Sequence, residues 1–187
     1  MHVVEIRQGS GTYISSLEPK RLVEHLDFVF ALADSTYLSL FEARKVVEVG
    51  ICGLAAQRIT DEEITRLESC LEKSLLGLTD AELYFQADVE LHEIITEAAA
   101  SPILSRIMAS ISHLSLASRQ RTAVLPGIAY QVIEDHRAII QALRQRDSEA
   151  ARLAMYQHLL HVEQRLLDDL AARAAMTEPQ SATAFES

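Results

Sequence analysis

Neither proline nor glycine occurs between Gly127 and Pro179, and the same is true between Pro19 and Gly50, Gly53 and Gly77, Gly77 and Pro102, and Pro102 and Pro126. These two residue types are the strongest breakers of regular helix. Leu, Ala, Glu and Arg, all good helix formers, fill the uninterrupted stretches. The pattern predicts an all-α fold, an antiparallel bundle of about six to seven helices joined by short loops.

Local signals place the helices. Leu22, Leu26, Val29 and Phe30 recur at helical spacing and predict a helix over about 19–33. A second is expected from Ser35 or Thr36 to about Arg58. Thr60-Asp61-Glu62-Glu63 reads as a capping box that opens a third, with Gly77 as its C-terminal stop. Thr79 or Asp80 caps a fourth, ending near Ala100. Pro102 stands at the first position of a fifth, where its missing N–H costs nothing. Leu125-Pro126-Gly127 forms a turn. A sixth follows over about 129–146, and Asp147 caps a seventh that continues to about Ala174. The closing residues 175–187, polar and unpatterned, are expected to be a disordered tail.

Residues 1–14 differ from everything after them. Val3, Val4, Ile6, Tyr13 and Ile14 are strand formers flanking Gln8-Gly9-Ser10-Gly11, which reads as a short β-hairpin. A lone hairpin is not stable in water, so it reads as the remnant of something larger.

Half of the residues are apolar (49%), which excludes disorder for most of the chain. Lys and Arg number 17 against 27 Asp and Glu, a formal net charge of −10. That balance argues against broad nucleic-acid or anionic-membrane binding through the body of the chain. No apolar run approaches a membrane span and no signal peptide opens the chain, so a cytoplasmic location is expected. Cys52 and Cys70 lack metal-ligand spacing and read as small packing residues.

Several polar residues fall on apolar helix faces. Asp88 and His92, four apart, share a face with Tyr84, Leu91, Ile95 and Ala99. His136 has Val132, Ile133, Ile139 and Ile140 around it. His158 has Ala154, Met155 and Val162, whereas His161 has Gln157, Gln164 and Arg165 and is assigned to solvent or the bundle edge. An unpaired buried carboxylate is costly. Three inward imidazoles and one inward carboxylate fit a single divalent transition metal, zinc first, with nickel, manganese or iron(II) also suited. The alternative is that these histidines are satisfied core residues.

Arg44 lies among Leu40, Phe41 and Val47, with Glu48 at i+4. It either forms a structural pair with Glu48 or binds a ligand carboxylate bidentately. Tyr84, on the Asp88–His92 face, and His113, among the small residues Ala109, Ser110 and Ala117, are further candidates for contact with a ligand. His113 serves equally well as a packing residue. His25 is given a core role.

These motifs resemble the FadR-type branch of the GntR transcriptional regulators, in particular its C-terminal effector-binding domain. The resembling segments are LFEARKVVEVGICGLAA at 40–56, DVELHEIITEAAASPIL at 88–104, EDHRAIIQAL at 134–143 and SEAARLAMYQHLLHVEQRL at 148–166. They span a helical domain of about 19–174. The resemblance implies metal binding through one Asp and three His, matched here by Asp88, His92, His136 and His158. It implies a small organic acid as effector, held in part by an arginine at the position of Arg44, and a homodimer. VEIRQGSGTYI resembles the wing of a winged helix-turn-helix, which would place Arg7, Gly9 and Gly11 against DNA. Met1 falls inside what would be the DNA-binding domain, so the chain as it stands is expected to lack a recognition helix and operator specificity. Operator DNA is a partner only where that domain is present.

The expected function is ligand sensing, not catalysis. Two other readings remain at this point: a metal-dependent hydrolase-like enzyme, for which no general base is evident beside the quartet, and a metal-free structural or interaction bundle.

Overall fold

The computed structural model describes residues 4–7, 11–14, 37–125 and 127–177. Among them are six α-helices: α1 (Tyr37–Arg58), α2 (Asp61–Leu76), α3 (Ala81–Ala98), α4 (Pro102–Ala123), α5 (Ile128–Arg144) and α6 (Ser148–Thr177). Two strands precede them, β1 (Val4–Arg7) and β2 (Gly11–Ile14), paired antiparallel with Val4 opposite Ile14 and Arg7 opposite Gly11. The fold is an all-α bundle with this short hairpin before it. The helix expected over about 19–33, Gly9 in the hairpin turn and the tail beyond Thr177 lie outside the described residues.

Side-chain chemistry sets the helix ends. Thr60 Oγ1 accepts from the Glu63 backbone N–H, and the Glu63 carboxylate accepts from the Thr60 N–H, a reciprocal box that opens α2. Asp80, rather than Thr79, caps α3 by accepting from the N–H groups of Glu82 and Leu83. Asp147 does the same for α6 through Glu149 and Ala150. Pro102 opens α4 at its first turn.

Gly77 ends α2 for a different reason from the one its residue type suggests. Its φ is −73°, an ordinary right-handed value, and the chain continues into a single 3-10 turn, Gly77–Thr79. A Cβ at this position would lie 2.6 Å from the Tyr84 backbone nitrogen. The glycine permits the close approach of α3 to the end of α2, which fixes where Tyr84 stands.

The helices alternate in direction. α1 and α6 are tied by Lys45 Nζ to Glu163 Oε2 at 2.8 Å near the middle of both helices and by the Ser148 hydroxyl at the start of α6 to the Gly53 carbonyl in the C-terminal part of α1. α2 and α3 are tied by Lys73 to Glu90 at 2.7 Å and Arg66 to Glu97 at 3.2 Å.

The apolar core is divided in two. One cluster contains Ile51, Leu91, Ile95, Ile139, Ile140, Met155 and Leu159 among others. The other contains Phe41, Tyr84, Ile128, Val132, Ile133, Val162 and Leu166. On each of four helices a buried polar residue stands at the passage from one cluster to the other: Arg44 and Glu48 between Phe41 and Ile51, Asp88 between Tyr84 and Leu91, His136 between Ile133 and Ile139, His158 between Met155 and Val162. One polar layer therefore crosses the bundle at a single level. Burial of this kind is costly unless the layer's groups satisfy one another or a ligand.

Candidate metal centre

The layer gathers the four residues chosen from the apolar faces. Asp88 and His92 come from α3, His136 from α5 and His158 from α6, and one ligand atom from each lies within 4.8 Å of the others. The imidazole centroids are 4.8 Å apart for His136 and His158, 5.3 Å for His92 and His158, and 5.8 Å for His92 and His136. All four are buried. His92 Nε2 and both ring nitrogens of His136 have no hydrogen-bond partner among the described residues. Orphaned buried nitrogens facing a carboxylate are the donor set a divalent transition ion takes, so the residues fit a metal.

Their protonation is also suited. Burial, reinforced by the Arg119 charge, pulls His92 down to about 4, against the opposing pull of Glu48. Burial and the neighbouring His158 hold His136 well below the ordinary value. Both rings are thus neutral near pH 7. Burial works against the charge of Asp88, but Arg119 and the three imidazoles outweigh it and hold the carboxyl below the usual range. Neutral imidazole and ionised carboxylate are the forms that bind metal.

A second ring of charge orients the first. Glu48 Oε2 lies 2.7 Å from His92 Nδ1 and leaves Nε2 to face the quartet. Its Oε1 accepts from Arg44 Nε at 2.7 Å. Arg119 Nη1 donates to Asp88 Oδ2 at 2.5 Å, while Oδ1 turns inward, 3.4 Å from His136 Nε2 and 3.9 Å from His92 Nε2. Asp135 accepts from His161 at 3.0 Å and from Gln131 at 2.9 Å, and its Oδ2 is 3.7 Å from His158 Nδ1. His161 is 47% exposed at the edge, as its polar neighbours suggested.

Two guanidinium groups reach the same level. Arg44 is 1% exposed, packs its charge 5.0 Å above the Phe41 ring and keeps Nη1 unpartnered among the described residues. Arg119 is 6% exposed, and its Nη2 makes no hydrogen bond among the described residues but lies 3.6 Å from Glu48 Oε2. Both line a cavity of about 20 Å³, with Tyr84, Asp88, His158 and Val162, room for about one water-sized body. Arg44 is therefore a partner of Glu48 and a lining residue at once; its two sequence readings are compatible.

Tyr84 also lines this cavity, and burial pushes its phenol well above the ordinary value. His113 lies in α4 and Arg7 on the hairpin, but the side chains of both fall outside the described residues, and Gly11 is described only as a strand residue opposite Arg7. Cys52 and Cys70 are buried free thiols, pushed up to about 12 and about 11, with burial as the main cause. Sequence reasoning missed Arg119 and Asp135. The signal for Arg119 was available: its i−4 and i+3 neighbours, Ser115 and Thr122, are small, and both are buried.

Comparison with known proteins gives a consistent picture. The profile of the FCD domain matches residues 39–161. The chain is 28% identical over 168 residues to the HTH-type transcriptional regulator LutR of Bacillus subtilis (strain 168), covering 87% of this chain and 77% of that protein. It is 30% identical over 183 residues to the putative L-lactate dehydrogenase operon regulatory protein of Escherichia coli (strain K12), covering 90% of this chain and 69% of that protein. Among solved structures it is similar to Streptococcus agalactiae GntR, with a TM-score of 0.61 and 28% identity over 87% of this chain and 74% of that one. These relatives are transcriptional regulators, not enzymes. No helix among the described residues is long and apolar enough to cross a membrane.

Proposed function

The chain belongs to the FCD domain family, and from that premise we propose that it is the ligand-sensing part of a GntR-type transcriptional regulator. In this reading Asp88, His92, His136 and His158 hold one divalent ion, zinc before nickel, manganese or iron(II). The ion supplies a Lewis-acid position for the carboxylate of a small organic acid. Arg119 and Arg44 pair with the negative charge of that acid, and Tyr84 closes the apolar side of the cavity. His113 on α4 is included in the proposal as a further effector contact.

The observation that carries the reading is the convergence of orphaned imidazole nitrogens and one ionised carboxylate in a buried layer. Charge supports it. Arg44 and Arg119 stand against Glu48, Asp88 and Asp135, so a divalent ion would leave one net positive charge in a buried site, and an anion removes it.

The effector acts by binding two arrangements of the bundle with different affinity. A homodimer in the cytoplasm accompanies this reading, with Arg7, Gly9 and Gly11 near DNA when a complete head is present. The helical domain is taken as about 19–174.

The test is elemental analysis of the purified protein, followed by thermal shift against small carboxylates with and without chelator. A carboxylate should raise the melting temperature by mass action, and chelator should abolish that gain. Protein that binds no divalent ion and is unaffected by Asp88→Ala would make the histidines packing residues and end the proposal.

A further inference from the structure

Every member of the quartet is buried: His136 and His158 are 1% exposed, His92 6% and Asp88 9%. A buried metal site still needs a path by which the ion comes and goes. The approaches to the polar layer differ in charge. The inner cavity is lined by Arg44 and Arg119. A groove of about 540 Å³ between α3 and α4 has His92 and Arg119 at its buried end. Glu93 and Glu97 on its wall are exposed, so the charge nearest the quartet is again a guanidinium. A dication arriving by either side is opposed by fixed positive charge beside the quartet.

The side formed by α5 and α6 is different. Asp135, next to His136, and His161, three residues after His158, pair across the two helices. Asp135 Oδ1 and Oδ2 lie 3.1 Å and 3.0 Å from His161 Nδ1. A carboxylate only accepts, so Nδ1 carries the proton and the neutral ring keeps its lone pair on Nε2. Asp135 Oδ2 is also 3.7 Å from His158 Nδ1, which has no hydrogen-bond partner among the described residues. Exposure falls in order along this line, from 47% at His161 to 8% at Asp135 and 1% at His158. Burial opposes the charge of Asp135, but the neighbouring imidazoles and Gln131 outweigh it and hold the carboxyl below the usual range. Arg165, one turn further along α6, directs its guanidinium to Gly127 at the start of α5, about two turns from Asp135. Neither Asp135 nor His161 lines the inner cavity or the groove.

We propose that Asp135 and His161 form the port through which the quartet exchanges its divalent ion with solvent. This rests on the metal reading above and adds a route to it. His161 offers a neutral nitrogen at the surface, Asp135 sets a negative charge beneath it, and His158 belongs to the quartet while facing the pair. Taking an ion out of water is costly unless protein donors replace the water it loses. Donors of decreasing exposure make that replacement in stages. A port lowers the barrier in both directions and leaves the end states alone, so its loss changes rates and not affinity.

The test uses the full chain, freed of metal by chelator, with Co²⁺ as the probe. Stopped-flow absorbance gives the association rate, and transfer to excess chelator gives the dissociation rate. His161→Gln keeps an N–H toward Asp135 but replaces the imidazole by a weaker amide donor. Association and dissociation should both slow about tenfold, with the equilibrium affinity unchanged. His161→Glu, which supplies a donor again, should restore both rates. Glu93→Gln combined with Glu97→Gln, in the groove, should leave them as in the parent. Unchanged rates in His161→Gln, or an affinity loss carried by faster dissociation alone, would overturn the port and leave the metal centre standing. Slower exchange in the groove variant with His161→Gln unaffected would overturn it too, in favour of the groove as the route. If the parent takes up neither Co²⁺ nor Zn²⁺, the metal reading fails and the port with it.

Discussion

Arg119 and Asp88, thirty-one residues apart on neighbouring helices, form a buried ion pair at 2.5 Å inside the polar layer. The pair has two effects. It keeps Asp88 ionised against burial, and it occupies Oδ2 so that Oδ1 faces the imidazoles. Arg119→Met removes the cation and leaves a buried carboxylate. Breaking a buried pair from one side costs about 3–5 kcal/mol. Denaturant unfolding should show a loss of that size, and Zn²⁺ should stabilise the variant more than the parent by restoring positive charge at Asp88. A loss near zero would mean that the pair has no such role.

Glu48 acts on the metal centre through His92. Oε2 stands 2.7 Å from Nδ1, and the charge at that distance favours a proton on Nδ1 and leaves Nε2 as the ligand atom. Glu48→Gln keeps the shape and removes the charge. Divalent-ion affinity, measured by competition with a chelating dye, should fall about 10–100-fold, the usual cost of losing such an outer partner. The visible spectrum of the Co²⁺-substituted variant should also change. An unaltered affinity and spectrum would make Glu48 a partner of Arg44 alone.

Acid should destabilise the metal-free protein. His92 titrates at about 4 in the folded state, below its ordinary value of 6.5. Between those values the unfolded chain binds a proton that the folded chain does not, so stability falls as pH falls through the window and is complete above it. By pH 5 this residue alone removes about 2 kcal/mol. His136 shifts in the same direction. Asp88 and Glu48, held low in the fold, add a further loss below the ordinary carboxylate range. Melting curves of chelator-treated protein from pH 7 to 4 should decline throughout. A flat profile between pH 7 and 5 would contradict the buried, neutral state of His92.

Ala100 stands just beyond the end of α3 with φ of 46°, in the left-handed region where a Cβ is unfavourable. Ala100→Gly should raise stability by about 1 kcal/mol, read as a higher melting temperature with metal affinity unchanged. A lower melting temperature would mean that the methyl group packs well enough to offset its strain.

The helices were legible because their signals are local. The Thr60–Glu63 box, Asp80, Pro102 and Asp147 each act within one turn, and helical spacing separates inward His158 from His161 at the edge. The quartet was legible for the same reason, since a polar residue amid i±3 and i±4 apolar neighbours declares its face. Gly77 was read correctly as a stop but for the wrong reason, because its constraint comes from the Tyr84 backbone across the α2–α3 junction. Asp135 was passed over because its partners, His158 and His161, belong to another helix.

The sequence by itself determined the all-α fold, the faces of the helices and the identity of the inward Asp and His residues, because periodicity and capping are properties of neighbours along the chain. Only the tertiary structure decided that those residues share one level of the bundle. It alone revealed that Arg119 meets Asp88, that Glu48 joins Arg44 to His92, and that a groove opens between α3 and α4. Those relations depend on the relative height and rotation of packed helices, which are set by the fit of side chains distant in sequence.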